Sequence, residues 1–278
     1  MKPVSHHLRF VVPAGLTVAF LIGSPSRADG SLFEDPKLEE AVRKFVFAKR
    51  DNDEPLVEED LVDLSTIQAV GLGITSLAGL EKCKALASLD VSKNDIADLT
   101  PLEGKPRLQF LDVSDNQVTD ITPLGSVPAL QYIELSRNRV TEIQPLSNLT
   151  NLFALYLSGN RIRDMQPVVH LPRLSSLYLD DNEINFLEGI GGLQRLSSLS
   201  LGGNDISDLG PLQGLQSLNF LFLENNQIRD LGPVIEMVKA DLAGEQRFAP
   251  FLRVYIKGNP TKRAQRAQLR KMNVRLYD

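Results

Sequence analysis

The sequence predicts an α/β solenoid, on three observations. Asparagine recurs every 22 residues, at Asn94, Asn116, Asn138, Asn160, Asn182, Asn204 and Asn226. Apolar residues keep fixed offsets from it: Leu108, Leu111 and Val113 precede Asn116, and Val118, Ile121, Leu124 and Val127 follow it. Proline stands seven places after the asparagine at Pro101, Pro123, Pro145, Pro167, Pro211 and Pro233. A unit this short cannot bury its apolar side chains alone, whereas stacked units share one continuous core. A period of about 20 to 29 with the pattern L-x-x-L-x-L-x-x-N-x-L is a leucine-rich repeat. The expected architecture is a horseshoe with parallel strands on the concave face and short 3₁₀ or extended segments on the convex face. Helical caps are expected at both ends.

Each position in the unit has a physical reason. The apolar residues five and three before the asparagine alternate with polar ones, which reads as a short half-buried strand. The chain turns sharply after it and leaves backbone groups unpaired. A buried asparagine amide offers two donors and an acceptor and can satisfy them. Proline fixes φ and suits a 3₁₀ or extended outer segment better than a long helix. The acids four places after the asparagine (Asp98, Asp120, Glu142, Asp164, Asp208, Asp230) read as turn caps. Single carboxylates one coil apart lack the ligand density that calcium requires.

The unit Asn116-Gln117-Val118-Thr119-Asp120-Ile121-Thr122-Pro123-Leu124 resembles the internalin-like class of bacterial leucine-rich repeats, with 22 residues per repeat. The stretch from Phe33-Glu34-Asp35-Pro36 to Leu80 is similar to that family's helical N-terminal cap. The resemblance covers most of the chain. It implies a binding protein, with each member's partner set by residues outside the repeat motif.

Taken in order, residues 1–28 read as a secretory signal peptide. Lys2 and Arg9 supply the basic start, Phe10 to Gly23 is an apolar run of 14 residues, and Ser26-Arg27-Ala28 suits cleavage after Ala28. That run is too short to span a membrane, and no later stretch does so. The remaining chain carries 27 basic and 35 acidic residues, a net of −8, which does not favour nucleic acid.

Residues 29–63 form the N-terminal cap. Asp35 caps a helix with Pro36 at its first position, and Leu38, Ala41, Val42 and Phe45 make one apolar face. Glu39 with Arg43 and Glu40 with Lys44 are expected helix-surface pairs. Val57 to Leu64 reads as a second short helix.

The solenoid occupies 64–250, beginning with a degenerate unit at Leu64 to Leu72. Cys83 takes the core slot eleven places on and reads as a buried small hydrophobe. In the fifth repeat Phe186 and Gly189 replace the acid and the proline, and Phe186 is expected to pack over the glycine-rich turn. Met237 to Pro250 breaks the period with a helix and loop. Residues 251–278 hold the last repeat, Phe251 to Asn259, and the C-terminal cap: a basic helix from Thr261 to Met272 and a strand-like tail from Asn273 to Asp278.

No catalytic or metal-ligating constellation emerges. Of His6, His7 and His170, two lie in the leader. The expectation is a non-enzyme with no cofactor. The informative surface is the concave one, where strand residues pointing away from the core line up in columns. Asp90, Asp112 and Glu134 form an acidic strip in the N-terminal half, with Phe110 and Tyr132 beside it. Tyr156, Tyr178, Phe220, Phe222 and Tyr255 form an aromatic strip in the C-terminal half. Stacked like charges are destabilising and serve no evident folding purpose. Grouped aromatics on a concave face mark recognition. The expected partner is a protein, with a glycan bound by the concave tyrosines as the alternative. A regulatory subunit of an enzyme is a further alternative, against which the leader argues. The expected location is secreted or periplasmic.

Overall fold

The 22-residue period is realised as three-residue strands: β1 Thr66–Gln68, β2 Ser88–Asp90, β3 Phe110–Asp112, β4 Tyr132–Glu134, β5 Ala154–Tyr156, β6 Ser176–Tyr178, β7 Ser198–Ser200, β8 Phe220–Phe222, β9 Arg253–Tyr255 and β10 Arg275–Tyr277. They form one parallel sheet in chain order, among residues 30–278, which the computed structural model describes. The leader expected at 1–28 lies outside the described residues. Ser31 to Asp278 make one compact unit with a continuous core. The central residue of each strand from β1 to β9 is buried and its two neighbours face the concave side.

The turn after each strand is held as the sequence implies. The Asn138 amide nitrogen donates to the carbonyls of Val113 and Leu135, both at 3.0 Å. Its oxygen accepts from the Val118 amide at 2.9 Å. Each asparagine thus closes its own turn and ties it to the coil before. Asn259 continues the ladder across the insertion by binding the Leu223 carbonyl and the Ile228 amide. One feature went unread in the sequence. The residue just before each ladder asparagine is left-handed: Lys93, Asp115, Arg137, Asp181 and Asn225 have φ between 51° and 59°. Glycine takes the same place at Gly159, Gly203 and Gly258.

The convex segments are 3₁₀ turns such as Thr122–Ser126 and Gln144–Asn148, with proline at the start. The preceding acids cap them: Asp98, Asp120, Asp164, Asp208 and Asp230 accept from the amide two residues on at 2.8–2.9 Å. In the insertion the outer segment becomes a true helix, Gly232–Ala243.

The helices in chain order are α1 Pro36–Arg43, α2 Glu58–Leu61, α3 Gly232–Ala243 and α4 Arg263–Lys271. Asp35 caps α1 through the Lys37 amide at 2.9 Å, and its other oxygen accepts from the Thr75 amide at 2.7 Å. Glu39 pairs with Arg43 and Glu40 with Lys44, as expected. Cys83 is fully buried; burial pushes its thiol pKa up to about 11, so it stays protonated.

Four details differ from the sequence reading. Phe45 lies past the end of α1 and is only half-buried, and Val46 seals the cap in its place. Phe186 does not cover the glycine turn: it is 40% exposed. The turn instead packs on Val169, whose Cγ2 lies 2.8 Å from where a Gly189 side chain would start. Phe251 is 64% exposed, and Leu252 fills the core, because the chain re-enters one residue later after the insertion. The apolar slot eleven places after the asparagine is broken by Lys105, which is only 4% exposed. Its ammonium donates to the carbonyls of Leu80 at 2.6 Å and Cys83 at 3.1 Å, in the 3₁₀ turn of the previous coil and just after it. Burial holds its pKa below the ordinary lysine value.

Candidate interaction surface

The concave face is assembled by strand register alone. Pairing sets Ser88, Phe110, Tyr132, Ala154, Ser176, Ser198, Phe220, Arg253 and Arg275 in one column. A second column holds Gln68, Asp90, Asp112, Glu134, Tyr156, Tyr178, Ser200, Phe222, Tyr255 and Tyr277. All ten residues singled out in the sequence therefore share this face.

The rings form one connected path. Phe110 stacks on Tyr132 with centroids 4.5 Å apart, and Tyr132 meets Tyr156 at 5.3 Å. There the path changes column, since Ala154 follows Tyr132 in one and Tyr156 follows Glu134 in the other. Tyr156 stacks on Tyr178 at 4.8 Å. Tyr178 leans across β7 to Phe222 at 6.4 Å, over the buried Ser200. Phe222 then stacks on Tyr255 at 4.5 Å. Arg253 lies over the Phe220 ring at 4.9 Å. The ring faces are largely spent on one another, and the ring edges line the surface.

Tyr277 was missed in the sequence, and it ends the path. It stacks on Tyr255 at 4.4 Å and is 46% exposed. The signal was available: Val274-Arg275-Leu276-Tyr277 repeats Leu252-Arg253-Val254-Tyr255 at the 22-residue spacing.

The acidic strip has a local role that corrects the expectation of uncompensated repulsion. Asp90 accepts from the amide and hydroxyl of Ser92 at 3.1 and 2.7 Å. Asp112 does the same with Ser114 at 2.9 and 2.7 Å. Glu134 accepts from the Ser136 amide at 2.8 Å. These bonds close the turns that follow the strands. Repulsion remains at Glu134, whose carboxyl pKa is raised by burial, with Asp112 adding to it. Burial and the neighbouring Glu134 push the Tyr132 hydroxyl up to about 12, so it is a neutral donor at physiological pH.

Among the described residues no group of three or more His, Cys, Asp or Glu side chains is placed to hold a metal ion. No described helix is long and apolar enough to cross a membrane.

A family model for leucine-rich repeats (two copies) matches residues 106–148 and 194–236. A search of curated proteins by sequence finds no match. Among solved structures, internalin C2 of Listeria monocytogenes is 30% identical, with a TM-score of 0.71 over 74% of this chain and 91% of that one. The functional domain of internalin J from the same species, which includes a cysteine ladder, is 22% identical, with a TM-score of 0.58 over 86% of this chain and 54% of that one. A plant peptide hormone receptor, RGFR1 in complex with RGF2, is 21% identical, with a TM-score of 0.55 over 66% of this chain and 30% of that one.

Proposed function

As this chain belongs to the internalin family of bacterial leucine-rich-repeat proteins, we propose that it is a non-catalytic binding protein whose concave face receives a protein partner. Leucine-rich repeats are protein-interaction scaffolds, and the plant receptor above is seen holding RGF2. The observation that carries the proposal is the half-exposed aromatic path from Phe110 to Tyr277 beside the strip Asp90, Asp112 and Glu134. The asparagine ladder already holds the turns, so the fold does not require these rings. A partner offers Lys or Arg to the acidic strip and apolar or planar side chains to the ring edges. Charge then governs approach and salt dependence, and the aromatics govern dissociation. Mutual stacking of the ring faces leaves little open face for a sugar ring, which favours protein over glycan.

The test begins with cross-linking and mass spectrometry on extracellular extract to capture the partner. Surface plasmon resonance on Tyr156→Ala with Tyr178→Ala is then expected to show binding weakened by about 2 kcal/mol or more. Asp112→Asn mainly slows association at low salt. The outer-face changes Asp120→Asn and Asp208→Asn serve as controls, since asparagine keeps the cap. Loss of binding in the controls with none in the tyrosine pair would place the site on the convex side.

A further inference from the structure

We propose that the two ends of the solenoid are complementary docking surfaces, and that the protein associates head to tail with a second copy of itself. The reading starts from charge. Residues 247–278 carry nine Lys and Arg against the single acid Asp278, a net of +8. Residues 30–63, the described part of the N-terminal cap, carry eleven acids against five basic residues, a net of −6.

The structure puts these charges on the ends. Helix α4 turns Leu269 into the core and Gln265 toward Asp230. Its other side reaches past β10, where Arg266 and Arg270 bind Asp278. Lys262, Arg263, Lys271 and Arg275 are exposed there, with no acidic partner among the described residues. At the other end α1 packs over β1, and Asp53, Glu59 and Asp63 are exposed without a basic partner among the described residues.

Apolar side chains are exposed at the same ends. Among the described residues nine large hydrophobic side chains are exposed: Phe47, Val57, Val62, Val70 and Leu72 lie in the cap and first coil, and Phe251 and Tyr277 lie in the last two. Among the described residues only Phe153 and Phe186 lie between, so exposed apolar surface gathers toward the two ends. Leu276 points to the same conclusion. It holds the core slot of β10 and is only half-buried, where Val254 one coil earlier is sealed. Among the described residues β10 is paired on one side only.

Sign decides the arrangement. Two basic ends repel, two acidic caps repel, and two concave faces cannot fill each other. Basic end on acidic cap is the attractive pairing that remains. It is a heterologous contact, which leaves a free end at each side and can continue into short chains. Exposed ion pairs contribute little individually, so the apolar centres hold the contact, and charge sets orientation and salt dependence.

Sedimentation velocity on the full chain across a concentration series tests this at low and high salt. Dimers and longer species are expected at low salt, with association several-fold weaker at high salt. Arg263→Glu with Lys271→Glu halves the charge of the basic end, from +8 to +4, and sets two acids where it meets the acidic cap. Glu59→Lys with Asp63→Lys brings positive charge to the cap, facing the unchanged basic end of its neighbour. Each variant alone should associate at least tenfold more weakly, and mixing the two should restore association. All four positions are exposed, where substitutions rarely disturb folding. A wild-type chain that stays monomeric throughout would overturn the proposal. So would self-association that neither variant alters, which would indicate a different interface.

Discussion

At the scale of single residues, the asparagine ladder is the part of this protein most open to test. Asn138 is buried and bonds two coils at once. Asn138→Ala leaves those groups unpaired and is expected to cost about 1–3 kcal/mol, read as a lower denaturant midpoint. Partner binding below the melt should not change, because the amide faces away from the concave columns. Glu134 tests the opposite sign. Its folded pKa is raised, so the folded state holds the proton more tightly than the unfolded chain does. Stability from this group is therefore present below the unfolded pKa and is lost as pH rises through the folded value. Glu134→Gln should raise the midpoint at neutral pH, and the gain should vanish under acid conditions where Glu134 is already protonated. An equal gain at both pH values would mean that packing rather than ionisation is responsible.

At the scale of elements, the cap and the convex turns were legible because their chemistry is local. Asp35-Pro36 announced the start of α1, and the structure adds a second bond that sequence spacing could not show. Asp35 also holds the Thr75 amide, which stitches the cap to the first coil. Burial would raise its pKa, but the Thr75 and Lys37 amides outweigh that and hold it below the usual carboxylate range. A depressed folded pKa gives stability that is complete above the unfolded value and is lost as pH falls through the folded one. Asp35→Ala is expected to cost about 1–3 kcal/mol at neutral pH through the lost cap and the bared Thr75 amide. A pH series of melts should show the difference from wild type shrinking in strong acid. The insertion shows the opposite case. Its existence was legible from the broken period, but its effect on the entry to β9, which leaves Phe251 outside and Leu252 inside, was not.

At the scale of the whole molecule, the repeat makes a one-dimensional object whose middle is uniform and whose ends are not. The uniform middle supplies the concave columns, and the ends carry the unbalanced charge. Export also belongs to this scale. The pattern at Ser26-Arg27-Ala28 predicts mature protein beginning near Asp29. N-terminal sequencing of protein from the native host checks this. An intact Met1 on cytoplasmic material would remove the ground for seeking an extracellular partner.

The sequence by itself determined the period, the strand register, the ladder asparagines and the membership of the concave columns. Each of these rests on neighbours related by a constant 22-residue step, so one repeat explains the next. What only the tertiary structure decided depends on contacts between side chains in different coils. The rings could have stood open to solvent, but neighbouring coils bring them face to face, as with Tyr255 and Tyr277. Asp90 and Asp112 read as mutual repulsion along the column, yet each first serves its own turn through Ser92 and Ser114. Lys105 went unread in the sequence, and it settles in an apolar slot because the coil before it presents the Leu80 and Cys83 carbonyls to its ammonium. Periodicity encodes position along the coil; the partner that a polar or aromatic side chain finds is set by the coil stacked against it.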